Sequence, residues 1–441
     1  MANNVLLARI EGMDMSFSAA IASYSDSYWD FKDARNDGIH SIANYPAPMV
    51  ASMQHQLLTL IIREHPNYTN MLDPFHGSGI TLVEGQSLGL NVWGIDINPY
   101  AHIIARAKLE KYRPDIIEVA NRRINSRIRK IMSNSQWDLF SFENIEKWFR
   151  KDIIRDLSII RQAICNEPNR KTRRYFWLCF GEIVKKYSNT RTSTFKLHIK
   201  EEQKIVEMQN NVIGDFIEKI STTYLLIGSE TVATFHLDCG DSLEIMKSYS
   251  PASFDIICTS PPYGENATTV TYGQFSTLQL LWIDSSDFGY SEDCYENYSK
   301  IDSISLGGSH SNNNAFYFSP KVSTYISQLS EHKRKKIVRF YSDYENAFRL
   351  MARLLKPNGS MILTLGNRMV DRIEFPFVEI NKEIANHYGL SLVSTVNRNI
   401  VKKRMPYRVS RLADGKPVES MSKETVLLFT KGETLNAGSD C

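Results

Sequence analysis

The stretch Leu72-Asp73-Pro74-Phe75-His76-Gly77-Ser78-Gly79-Ile80-Thr81 decides the fold. Tyr68 to Leu72 reads as a strand, Asp73 to Gly79 as a turn, and Thr81 to Leu88 as a helix. Gly77 and Gly79 let the backbone approach a ligand and adopt φ values that other residues avoid. The free N–H groups of the following helix favour a carboxylate at that point. Asn91 to Ile95 gives a second strand, ending at Asp96. An acidic residue about twenty positions beyond a glycine turn, at the carboxyl end of a strand, is placed to bind ribose hydroxyls. The alternative is that Asp96 or Asn98 caps a helix starting near Pro99. A strand, a glycine turn, a helix and a second strand open a doubly wound α/β sheet, of the Rossmann-like kind.

A second apolar run, Phe254 to Cys258, ends in Thr259-Ser260-Pro261-Pro262-Tyr263. The two prolines fix φ and remove two backbone donors, so the turn is stiff. Each residue before a proline is pushed to extended geometry, which keeps Ser260 out of a helix. The result is a rigid group holding a hydroxyl, a free carbonyl and a flat ring. That set can grip a planar substrate carrying an exocyclic amine, although a strand-ending turn over a buried tyrosine would use the same residues.

Ser260-Pro261-Pro262-Tyr263 after a buried strand resembles the catalytic motif of the DNA amino-methyltransferases, specifically the N4-cytosine type met in restriction-modification systems. The N6-adenine type usually carries Asp or Asn at the position of Ser260. Leu72 to Thr81 resembles that family's S-adenosylmethionine loop, and Gly94-Ile95-Asp96-Ile97-Asn98-Pro99 its second strand end. The resemblance covers roughly residues 39–110 and 233–430. It implies a class I methyltransferase sheet, S-adenosylmethionine as cofactor and double-stranded DNA as substrate.

Residue by residue, it implies a cofactor pocket of Tyr45, Asp73, Phe75, Gly77, Ser78, Gly79, Asp96, Ile97 and Asp241. Asp73 would take the cofactor's cationic amino group, and Ile97 would lie on the adenine face. Asp241, in competition with Asp238, would bond the adenine amine. Tyr45 lies in a Tyr-Pro segment that, in the family, packs beside the methionine part of the cofactor. Ser260, Pro261, Pro262 and Tyr263 would be catalytic, with Ser260 and the Pro261 carbonyl holding the amine and Tyr263 stacking on a base flipped out of the duplex. Cys258 invites a thiolate mechanism, but it lies inside the strand and lacks the Pro-Cys context of the C5-cytosine enzymes.

Between the second and third strands runs a segment that matches nothing in the resemblance. Its pattern predicts helices over 101–112, 116–132, 143–166, 171–186 and 202–226. Residues 121–200 hold 19 Lys/Arg against 7 Asp/Glu, a balance of +12, whereas the whole chain carries +3. Such concentration is the footprint of a polyanion partner. The expected organisation is a 1–37 extension, a catalytic domain split over 38–110 and 231–435, and a basic, DNA-engaging helical insertion at 111–230. Thr268, Thr269, Tyr272 and Gln274 follow the proline turn and could touch the target base. Residues 303–319 have linker composition. Residues 396–411 carry six Lys/Arg and no acid, a second candidate phosphate patch.

Composition narrows the class. The chain has 441 residues, 42% hydrophobic and 23% charged, as in soluble globular proteins. No apolar run reaches the ~20 residues of a membrane span, and Met1 to Asn4 shows no secretory signal. Six scattered cysteines without Cys-x-x-Cys argue against a zinc site, so no metal is expected, and suggest a reducing, cytoplasmic setting. Rival readings are an N6-adenine DNA methyltransferase, an RNA guanine-N2 methyltransferase, and a DNA-binding partner without catalysis. A cognate restriction endonuclease is implied by the family alone.

Overall fold

The computed structural model describes residues 16–433 apart from 136, 192–194, 228–230, 265–269, 289–297, 308–316, 371–372, 401–407, 412–416 and 420–421. Helix α1 (Phe17–Ser23) precedes α2 (Ala51–Glu64), β1 (Asn70–Asp73), α3 (Ile80–Ser87), β2 (Asn91–Asp96) and α4 (Pro99–Leu109). Four longer helices follow: α5 (Pro114–Ser133), α6 (Lys151–Cys165), α7 (Arg170–Tyr187) and α8 (Val212–Thr223). Then come β3 (Phe235–Cys239), α9 (Ser242–Ser248), β4 (Phe254–Thr259) and α10 (Tyr272–Trp282). The chain ends in α11 (Tyr298–Ile304), α12 (Pro320–Ser327), α13 (Glu331–Leu354), β5 (Leu355–Leu365), α14 (Phe377–His387), β6 (Leu390–Asn399) and β7 (Lys423–Lys431).

Seven strands form one sheet in the order β3-β2-β1-β4-β5-β7-β6. The first five are parallel, and β7 runs antiparallel between β5 and β6. This is a doubly wound, Rossmann-like sheet with one antiparallel strand. The central strand β4 is buried along its whole length, which is why Phe254-Asp255-Ile256-Ile257-Cys258 reads as a continuous run rather than an alternating one. Its one carboxylate, Asp255, is neutralised by Lys356 at 2.7 Å and accepts from the Thr69 and Asn70 amides. The strand order reverses between β1 and β4, and ligands of open α/β sheets bind at such a switch point, beyond the carboxyl ends. Asp73, Asp96 and Thr259 all stand at those ends.

The helical insertion lies between β2 and β3, but two of its expected helices are broken. Residues 143–166 divide into a single turn, Ile145–Trp148, and α6, with extended backbone at Phe149. Residues 202–226 divide into Glu202–Val206 and α8. The insertion's apolar core is continuous with α4 and α10: Phe176, Trp177 and Phe180 of α7 share a cluster with Ile103, Ile104, Leu278 and Trp282. Lys356-Pro357-Asn358-Gly359, a turn-like sequence, lies within β5, with Asn358 at φ +61°.

Candidate active site

The glycine turn is held from three sides. From β2, the His76 amide donates to the Ile95 carbonyl at 3.1 Å. Asp96 receives the Gly77 amide at 2.8 Å on one carboxylate oxygen and the Asn98 amide at 2.8 Å on the other. From below, Gly79 rests on α4. Its φ is +75°, and a Cβ there would lie 2.8 Å from that of Ala105, so glycine is required both by conformation and by contact. From α9, the Ser242 hydroxyl donates to the Pro74 carbonyl at 2.6 Å. Helix α3 then begins on Gly79 with no side-chain cap.

Asp73 is fully buried. It accepts from the Phe75 amide at 3.0 Å and from the Thr81 hydroxyl, so its oxygens organise the turn from within. Burial raises its carboxyl above the ordinary range, against the pull of these hydrogen bonds. Phe75 packs half-buried on the cluster beneath β4 and β5, and Ser78 is buried. Ile97 packs on the helical core.

The helix-capping alternative falls to Asn98, whose Oδ1 accepts from the Tyr100 amide at 3.1 Å. Its Nδ2 donates to the Tyr45 hydroxyl at 3.1 Å and the Ser276 hydroxyl at 2.8 Å. Asn98 thus joins α4, the Tyr45 segment and α10, a role that a lone asparagine after an acidic strand end does not announce. Tyr45 stands over the turn: a Cβ on Gly77 would touch its ring at 3.5 Å. The ring stacks on Tyr272, with centroids 5.6 Å apart at 20°. Tyr272, expected near the target base, is therefore part of the wall around the glycine turn. Gln274 is also engaged within the chain, accepting from the Leu197 amide at 3.3 Å. Thr268 and Thr269 lie outside the described residues.

On β3, Asp238 is taken by Tyr249, whose hydroxyl donates at 2.5 Å, and by His236 at 3.0 Å. Asp241 is exposed and caps α9, accepting from the Leu243 amide at 2.8 Å on Oδ1. The Gly240 amide donates to the Asp96 carbonyl at 3.0 Å, which brings this turn to the end of β2.

At the end of β4, Ser260 Oγ lies 3.0 Å from the Tyr263 hydroxyl oxygen. The Tyr263 hydroxyl donates to the Thr364 carbonyl at 3.3 Å. Either hydroxyl can be the donor of the Ser260–Tyr263 contact; with the single phenol proton on the Thr364 carbonyl, the hydrogen between them is the serine's. In that arrangement the Ser260 lone pairs are left for another partner. Burial raises the Tyr263 hydroxyl far above its ordinary value, which keeps it a neutral donor. Its ring packs against the β4–β5 cluster. Pro261 is buried and Pro262 half-buried. Cys258 is buried on the strand, with its thiol on Gln54 Oε1 at 3.5 Å and its pKa pushed up by burial. A thiol buried and held neutral in this way is a poor nucleophile.

Much of the insertion's positive charge is neutralised within the chain. Arg123 and Arg127 pair with buried Glu167, Arg173 with buried Asp287, and Lys171 and Arg174 with Glu110. Arg122, Arg129, Lys130 and Arg191 are exposed. In the second candidate patch Arg398 is buried against Glu424 at 2.9 Å, and residues 401–407 lie outside the described residues. So does most of the 303–319 stretch. No helix among the described residues is long and apolar enough to cross a membrane, and no metal-binding group of His, Cys, Asp and Glu occurs among them.

No family model matches the chain. It is 28% identical over 416 residues to the Type II methyltransferase M.MvaI of Kocuria varians, spanning 88% of this chain and 90% of that protein. Over 79 residues it is 38% identical to the Type II methyltransferase M.MjaII of Methanocaldococcus jannaschii, 18% of this chain and 14% of that one. Among solved structures, TTHA0409 of Thermus thermophilus aligns at 14% identity with a TM-score of 0.23, over 46% of this chain and 56% of its own. The rRNA methyltransferase aviRa of Streptomyces viridochromogenes aligns at 10% identity with a TM-score of 0.30, over 91% and 92%. Along nearly its whole length, then, the chain is similar to a protein named as a Type II methyltransferase.

Proposed function

We propose that the chain is an S-adenosylmethionine-dependent DNA methyltransferase of the Type II kind, and that its target is N4 of cytosine. The observation that carries the amine chemistry is the Ser260–Tyr263–Thr364 relay. With its proton committed to Tyr263, Ser260 faces outward as an acceptor for an amine N–H. An exocyclic amine on an aromatic ring is a poor nucleophile because its lone pair is delocalised into the ring. Accepting its N–H at Ser260 draws that lone pair back onto nitrogen.

The donor set fits the cofactor. Asp96 stands at the end of β2 for ribose hydroxyls, Asp241 beside it for the adenine amine, and the uncapped start of α3 for a carboxylate. Tyr45 and Tyr272 wall this pocket off. When bound, S-adenosylmethionine supplies the sulfonium methyl that the amine accepts. The chain contributes positioning and fixed dipoles, and attack is direct, without a covalent enzyme intermediate. A base within a duplex cannot reach this pocket, so the target is taken flipped out. The insertion's exposed arginines and lysines suit phosphate contacts, which set affinity rather than sequence choice. A cognate restriction endonuclease belongs to the same proposal.

Transfer of labelled methyl to mixed-sequence duplex DNA, followed by digestion and mass analysis of nucleosides, tests the reading. N4-methylcytosine supports it. N6-methyladenine overturns the choice of base while keeping the class, and label in RNA alone overturns the DNA reading.

A further inference from the structure

Lys108 lies near the end of α4, only 4% exposed, with Nζ 2.9 Å from the Ser78 carbonyl. Ala105, one turn earlier on the same face, is the residue on which Gly79 rests. The glycine turn therefore sits on two consecutive rungs of α4, a methyl group and an ammonium. Lysine is almost never this buried unless paired. The carboxylates facing it are Glu182 on α7 and Glu84 on α3. Both have other obligations. Glu182 accepts from Asn44 and Tyr100, and Glu84 is held by His40 at 2.6 Å and His55 at 2.7 Å. On α4 itself, His102 is kept neutral by burial and accepts from Arg106.

We infer that Lys108 is a positioning residue of the cofactor turn, whose charge beneath Ser78 strengthens binding of the cofactor's carboxylate at the start of α3. The inference rests on the S-adenosylmethionine reading above. The ammonium and the N-terminal end of α3 present the same sign of field to that carboxylate. In a low-dielectric interior such a field is weakly screened. Burial brings Lys108 down to about 7, so the charge is present below neutrality and lost above it. Proton binding and carboxylate binding then favour each other reciprocally.

The test is calorimetric titration of wild type, Lys108→Met and Lys108→Arg with S-adenosylmethionine, near pH 6 and near pH 8.5. 5′-Methylthioadenosine, which lacks the amino-acid end, is titrated in parallel. The ligand's own amino group titrates in this range, so the quantity read is the ratio of variant to wild-type Kd. For S-adenosylmethionine, Lys108→Met should bind about ten-fold more weakly near pH 6, with the ratio falling towards one near pH 8.5. For methylthioadenosine the ratio should stay near one at both. Near pH 6 the Met variant should melt no lower than wild type, because a buried charge has been removed. A merely structural lysine predicts a lower Tm and equal weakening for both ligands, and that result overturns the inference. A ratio of one for S-adenosylmethionine near pH 6 also overturns it. If Lys108→Met does not fold, Lys108→Arg decides: arginine stays charged, so its ratio to wild type must change between the two pH values. A wild type that binds no S-adenosylmethionine at either pH overturns the cofactor reading instead.

Discussion

Replacing Asn98 tests whether the site is one connected object. The side chain is buried, caps α4 through Oδ1, and donates to Tyr45 and Ser276 through Nδ2. Asn98→Ala removes the cap, worth about 1 kcal/mol, and two further hydrogen bonds of about 1 kcal/mol each. The expected cost is about 3 kcal/mol, with more if the buried Ser276 hydroxyl finds no new partner. Asn98→Asp separates the parts. It keeps the capping oxygen, loses both donors and places a second carboxylate beside Asp96. If the joining role is real, the aspartate variant is no more stable than the alanine variant, and both bind S-adenosylmethionine more weakly because Tyr45 is released from above the glycine turn. Urea denaturation and calorimetric titration read the two effects. An aspartate variant with wild-type stability and affinity would refute the joining role and leave Asn98 as a simple cap.

Other consequences are equally concrete. Gly79→Ala forces φ +75° on an L residue and drives a methyl against Ala105, so it should cost about 2–4 kcal/mol in denaturation and impair cofactor titration. Ser260→Ala should leave S-adenosylmethionine affinity intact and remove turnover, whereas Asp96→Ala should weaken that affinity. Tyr263→Phe should keep the affinity and lower kcat, because Ser260 loses the acceptor that orients it. Cys258→Ala should retain methyl transfer in the same assay, at about 1–2 kcal/mol of stability; loss of turnover in a folded variant would restore a covalent mechanism. Glu84 opposes its burial with bonds to His40 and His55 and is held down at about 2. Its contribution is present above the ordinary glutamate value and lost as pH falls through about 2. Glu84→Gln should flatten that acid slope of roughly 3 kcal/mol.

What could be read from the sequence was what short-range chemistry writes. The glycine turn, Asp96 and the strand before Ser260 are each defined within about ten residues, so their types and order were legible. The breaks in the insertion were not. Phe149 leaves the helix because its ring packs on Trp282, more than a hundred positions away, with centroids 5.6 Å apart. The next residue, Arg150, then donates to the carbonyls of Ile205, Val206 and Met208. Its guanidinium pairs with Asp152 in the first turn of α6 while holding the end of the Glu202–Val206 turn, so the two breaks meet at one residue. The charge excess was legible only as a count, and which cations stay free was not. Arg173, for example, meets its counter-charge at Asp287, beyond α10, while Arg122, Arg129 and Lys130 stay exposed. Asn98 and Lys108 carry no motif, and their importance comes only from what the fold places against them.

The shared core of the insertion bears on how such a protein could be re-engineered. A segment that can be exchanged between relatives needs a seam, a place where few contacts cross. Cutting near residues 111 and 230 would instead strip cover from Ile103, Ile104, Leu278 and Trp282, leaving the scaffold's own helices with an open apolar flank. Changes to this segment would have to be made as point changes on its outer face, because it is held in place like a keystone and cannot be traded as a cassette.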